Sequence, residues 1–167
     1  SGLISRYRVD GKDMLKEDTQ IRPNFWRAPT DNDFGAGLQM RYRAWKEPVI
    51  TLDREKGLES ELRDGIAVIT SHLIIKDIAE LTLTYEVNNA GMVKVTEKMK
   101  ADPSKKVSDL FRYGMNLLMP KSFNRVEYYG RGPLENYSDR KDCTFMGIYS
   151  QSVAEQYYPY IRPQETG

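Results

Sequence analysis

The stretch from Ala79 to Lys100 constrains the fold of this chain more than any other. Leu81, Leu83, Tyr85 and Val87 alternate with Thr82, Thr84 and Glu86, so an extended strand here is apolar on one face and polar on the other. Asn88-Asn89-Ala90-Gly91 supplies residues suited to a reversal, and Val93 and Val95 then alternate with Lys94, Thr96 and Lys98. The pattern predicts an antiparallel hairpin with one face directed at a core.

The rest of the sequence extends this theme. Leu3, Ser5, Tyr7 and Val9 alternate with Ile4, Arg6 and Arg8 and run into Asp10-Gly11, a strand entering a tight turn. Val49 to Leu52 and Gly65 to Lys76 read as strands from their β-branched and aliphatic content, and Tyr113 to Leu118 and Arg125 to Tyr129 as shorter ones. Leu38, Tyr42 and Trp45 fall at helical spacing, which predicts about two turns of helix over Leu38 to Lys46, ended by Pro48. Asp102 to Lys106 reads as an exposed turn. Two segments, Gln20 to Gly37 and Gly130 to Arg140, lose all periodicity and are read as loops, and Tyr157 to Gly167 is aromatic and broken by Pro159 and Pro163. Many short strands with one short helix indicate an all-β antiparallel sandwich rather than alternating β/α units. A length of 167 residues suits one domain, 1–167, around one continuous core.

Several function classes are disfavoured by composition. Lys and Arg total 25 against 24 Asp and Glu, with no basic stripe, so the electrostatic footprint of nucleic-acid binding is missing. The longest apolar runs are a few residues, against the roughly 20 that cross a bilayer as a helix. The single Cys143 cannot form an internal disulfide or a thiolate-rich metal cluster, and is expected to be a small buried or half-buried side chain. His72, the only histidine, lies in a strand pattern and excludes a two-histidine zinc site. Gly130-Arg131-Gly132 begins like a dinucleotide fingerprint, but Glu135 stands where the third glycine belongs. Asp31 to Gly35 resembles the opening of an EF-hand with its glycine one place early and Tyr42 where the bidentate Glu should be, leaving at most an irregular Ca²⁺ or Na⁺ site.

The irregular segments are dense in aromatic, carboxylate, amide and guanidinium groups. Aromatic faces pack on sugar C–H surfaces and fixed polar groups read hydroxyls, which makes Trp26, Arg27, Asp31, Asn32, Asp33, Arg131, Glu135, Asn136, Asp139 and Arg140 candidate sugar contacts. The competing reading, favoured for most of the charged ones, is that they tie long loops down by charge-assisted hydrogen bonds.

Three blocks carry a family resemblance. Arg22-Pro-Asn-Phe-Trp-Arg-Ala-Pro-Thr-Asp-Asn-Asp-Phe-Gly35 is similar to a segment near the start of the fifth, C-terminal domain of family 2 β-galactosidases. Tyr129-Gly-Arg-Gly-Pro-Leu-Glu-Asn-Tyr-Ser-Asp-Arg140 and Tyr158-Pro-Tyr-Ile-Arg-Pro-Gln-Glu-Thr-Gly167 resemble two later segments of the same domain, in the same order. The resemblance implies a galactose-mutarotase-like β-supersandwich in an enzyme that hydrolyses terminal β-D-galactosides with retention. It implies that the nucleophile and acid/base carboxylates, with Mg²⁺ and in some cases Na⁺, belong to a separate (β/α)₈ barrel, so no catalytic residue and no cofactor is assigned to this chain. The implied partners are the remaining domains of the parent enzyme and, through it, a galactoside. The family's domain continues past the position matching Gly167, so a truncated sandwich with exposed strand edges, open to pairing with a second copy, is expected. The alternative is a stand-alone carbohydrate-binding or aldose-mutarotase-like protein, with Glu165 as base and His72 as acid.

Overall fold

A computed structural model describes residues 1–137 and 140–162. The chain is all-β with antiparallel sheets, as the alternation predicts. In chain order the elements are β1 (Arg8–Val9), β2 (Lys12–Asp13), β3 (Arg22–Asn24), the single-turn helix α1 (Asp31–Gly35) and α2 (Leu38–Arg41), the last followed by a 3₁₀ turn at Arg43–Trp45. Then come β4 (Ile50–Leu52), β5 (Leu58–Arg63), β6 (Ile66–Ile75), β7 (Ala79–Val87), β8 (Val93–Ala101), β9 (Gly114–Asn116), β10 (Arg125–Gly132) and β11 (Phe145–Ser152). The chain divides into two compact units, one comprising Ser1–Arg27 and Met40–Leu118, the other Ala28–Gln39 and the residues from Met119 onward.

The first unit is built on a five-stranded sheet in which β6 and β7 are central, β8 forms one edge, and β4 and β5 lie end to end along the other. Register follows side-chain alternation: Leu81 pairs with Leu73 and Met99, and Leu83 with Ser71 and Glu97. One face therefore collects Leu73, Ile75, Ala79, Leu81, Leu83 and Tyr85, all buried, while Thr82, Thr84, Lys94 and Lys98 take the other. Phe25 and Trp45 close the apolar face, with ring centroids 5.2 Å apart in an edge-to-face arrangement, and the Trp45 indole N–H donates to the Ser108 carbonyl at 3.1 Å. That bond satisfies the one polar atom of a side chain that is 1% exposed. The N-terminal segment is fastened to the same face by Ser71, whose hydroxyl donates to the Gly2 carbonyl at 2.7 Å.

The helical spacing over Leu38 to Lys46 is realised as α2 plus the 3₁₀ turn, which delivers Trp45 to the core. At the N-terminus only Arg8–Val9 is strand, and Asp10 and Gly11, both at positive φ, form the turn to β2. Several elements have no counterpart in the sequence reading, β2, β5 and β11 among them, and the segment Gln20 to Gly37, expected as loop, contains β3 and the helix α1, which the Thr30–Asp33 capping box starts. Strand β5 is Leu-Glu-Ser-Glu-Leu-Arg, exposed along its whole length, and its alternating leucines are masked by residues of low strand preference. Strand β11 was likewise not anticipated.

The second unit contains α1 and the β10–β11 hairpin. Gly130 to Gly132, expected as loop, is the last part of β10, paired with Phe145 to Gly147 of β11. The reason is steric. Tyr128 and Tyr149 face each other across the hairpin with centroids 5.7 Å apart, and their rings lie along the strand over Gly130, Gly132 and Gly147. A Cβ at Gly132 would sit 2.6 Å from the Tyr149 ring and 2.7 Å from the Tyr128 hydroxyl, so glycine here makes room for tyrosine rather than for a turn. Cys143, expected to be at least half-buried, is exposed in the turn before β11.

Candidate functional site

The residues proposed from sequence fall into four local arrangements. Trp26 and Arg27 follow β3 and gather around Phe111. The Trp26 and Phe111 rings are edge-to-face at 4.8 Å, the Tyr42 ring meets the same phenyl at 5.0 Å, and the Arg27 guanidinium lies over it at 4.8 Å. Both side chains are half-buried, so the aromatic body of Trp26 packs against protein. Phe111 has no distinctive sequence context, and nothing local marked it as the hub.

Asp31, Asn32 and Asp33 form the start of α1, where the structure gives two of them definite duties. The Thr30 hydroxyl accepts from the Asp33 amide at 3.3 Å, and the Asp33 carboxylate accepts from the Thr30 amide at 2.8 Å, a reciprocal capping box. Asp33 is buried in that role. Asp31 receives the Arg162 guanidinium at 3.0 and 3.2 Å on its two oxygens. Asn32 is exposed. The Thr-x-x-Asp spacing was the available signal, and reading it as an EF-hand remnant obscured it.

Arg131 points its guanidinium at the turn preceding β11, donating to the Thr144 carbonyl at 2.9 Å and the Lys141 carbonyl at 3.5 Å. Thr144 is buried and its hydroxyl donates to Lys141 O at 2.8 Å, so Arg131 closes a turn already folded on itself. Glu135 accepts from Arg140 at 3.2 Å, and Arg140 also lies 5.6 Å from the Tyr137 ring. Asn136 is exposed. Asp139 and Glu165 lie outside the described residues. Among the described residues no three His, Cys, Asp or Glu side chains come together as a group that could hold a metal ion. His72 lies on the polar face of β6, with Nε2 3.4 Å from Glu59.

One group that the sequence reading passed over stands out electrostatically. Glu97 is on the apolar face of β8, and burial pushes its carboxyl up to about 7. Tyr85 is pushed up to about 12, first by burial and then by the neighbouring Glu97. Tyr113 is raised by the same two causes in the same order.

Comparison with known proteins places these arrangements in a family. The family described as beta galactosidase small chain matches residues 1–167, that is, the whole chain. This chain belongs to the beta galactosidase small chain family. Among its relatives, the beta-galactosidase of Priestia megaterium is 35% identical over 99% of the chain and the enzyme of Lactobacillus delbrueckii subsp. bulgaricus 36% identical over 94%. The beta-galactosidase of Staphylococcus xylosus is 31% identical over 86%. The match covers 16%, 15% and 14% of those three relatives, so the chain spans about one sixth of their length. The family match therefore spans the residues of both the five-stranded sheet and the tyrosine-glycine hairpin.

Proposed function

We propose that this chain is a non-catalytic supporting module of a retaining β-galactosidase that hydrolyses terminal β-D-galactosides, the glycosidic bond being cleaved elsewhere in that enzyme. The supporting observation is how the carboxylates of the candidate segments are used. Asp33 caps a helix, Asp31 holds Arg162, and Glu135 holds Arg140. Retaining glycosidases need two carboxyl groups about 5 Å apart, one of them kept protonated. Among the described residues Glu97 is the carboxyl raised toward neutrality, and its cross-strand and ionisable neighbours are Leu83, Tyr85 and Tyr113 instead of a second carboxylate. On this reading Mg²⁺, and Na⁺ where it is used, belong with the catalytic part, and the remaining domains of the enzyme are this chain's partners.

The test is hydrolysis of a nitrophenyl β-galactoside. The chain expressed alone leaves the substrate intact, and removing it from the complete enzyme abolishes or strongly lowers turnover. Hydrolysis by the isolated chain would overturn the reading. Sugar contact by this module is read separately, as a change in Trp26 fluorescence on titration of galactose into the complete enzyme, compared with the Trp26→Phe variant.

A further inference from the structure

Glu97 is misplaced by the rule that governs the rest of its sheet. On β8 the apolar face carries Val93, Val95, Glu97, Met99 and Ala101 in register with Val87, Tyr85, Leu83, Leu81 and Ala79 of β7. Glu97 is thus the one charged residue type among ten cross-strand positions, and its direct partner, Leu83, is 0% exposed. The Oε1 atom is enclosed by protein and has no hydrogen-bond partner. The ionisable groups acting on it from neighbouring elements are Tyr85 on β7 and Tyr113 just before β9, neither of which supplies positive charge. Lys94, Lys98 and Lys100 of the same strand project to the opposite face, and Lys94 is engaged there with Glu86 at 2.6 Å. A carboxyl in such surroundings is comfortable neutral and poorly solvated when ionised.

Strand β8 is also the sheet's edge, bonded only to β7 on one side among the described residues. An edge strand can open locally without disturbing the centre of a sheet, and such opening is what lets water reach a buried group. We propose that Glu97 is a proton-held latch on β8: the neutral carboxyl seats the strand against the apolar face, and the ionised form favours opening of that edge toward water. The raised titration midpoint of Glu97 agrees with this placement, and puts the transition near neutral pH. Because the group binds its proton more tightly folded than unfolded, the latch is fully engaged below about pH 4.5 and is released as pH rises through about 7.

The test is chemical denaturation of the chain at pH 5 and pH 8, for wild type and Glu97→Gln. Wild type should lose roughly tenfold in its folded-to-unfolded ratio across that interval, a value reduced from the full linkage limit because the side chain is only half-buried. Glu97→Gln should lose less by that factor, every other titratable group being common to both proteins. Equal pH dependence in the two overturns the proposal. A carbon-detected NMR titration of the Glu97 carboxyl in wild type stands independently of how the variant folds. A midpoint near 7 is expected, and one near the ordinary glutamate value of about 4.3 overturns the latch.

Discussion

The five-stranded sheet and the β10–β11 hairpin solve the same problem, how to order paired strands, with different materials. In the sheet, stability comes from branched aliphatic side chains interdigitating on one face beneath Phe25 and Trp45. In the hairpin, two tyrosines lie flat over three glycines, and an arginine ties the preceding turn to the strand. The outward residues of the hairpin remain apolar and open, with Tyr129 75% and Ile148 74% exposed. A two-stranded ribbon has too few side chains to bury for its order to rest on hydrophobic area, so it relies on close ring packing and on hydrogen bonds. The contrast teaches that aliphatic alternation and glycine placement are two separate codes for strand pairing, sensitive to opposite kinds of substitution.

That contrast can be broken most forcibly at Trp45. Trp45→Ala empties the aromatic cap of the sheet and should cost about 3–5 kcal/mol, read as a lowered denaturation midpoint at unchanged m-value. If the midpoint stays in place, the sheet does not depend on its cap. In the hairpin the damaging change is enlargement: Gly132→Ala drives a methyl group into the Tyr149 ring and the Tyr128 hydroxyl and should cost about 1–3 kcal/mol, with altered near-ultraviolet dichroism from displaced tyrosines. Gly130→Ala is its internal control, since a Cβ there meets the Tyr128 ring only at 3.5 and 3.8 Å and is accommodated with little loss. Smaller again is the helix cap. Thr30→Ala removes the side-chain half of the capping box and should cost about 1 kcal/mol, while Thr30→Ser retains most of it. Least of all is Arg162→Ala: its pairing with Asp31 is largely solvent-exposed and contributes no more than about 0.5 kcal/mol, vanishing at high salt.

The parts legible in the sequence are those where neighbours along the chain report on neighbours in space. The hairpin from Ala79 to Ala101 follows from alternation and a turn, and its register needs nothing further. Trp45 was placed on a helical face by spacing alone. β5 was hidden because an edge strand exposed on both sides needs no apolar run, and β11 because Phe145 to Ser152 alternates only weakly. The glycines of β10 make Gly130 to Gly132 read as loop because their reason, a ring on the facing strand, is remote in sequence. The candidate residues show the same limit. Their types were right for charge-assisted bonding, but Asp31 meets Arg162 across 131 positions and Arg131 meets Thr144 across a turn, pairings that no local pattern encodes. Glu97 is not singled out by the alternation of Val93 and Val95 with Lys94, Thr96 and Lys98, although its parity places it on the side of Val95 and Met99.

The exposed Cys143 has a practical consequence. As the single thiol of the chain, it accepts one reporter group at a defined point, with no second thiol to scramble with. It lies in the turn that Arg131 closes, one residue before Thr144. A spin label or fluorophore attached there would follow the tightening or fraying of that turn directly, giving the hairpin a private readout that the tryptophans of the sheet cannot supply.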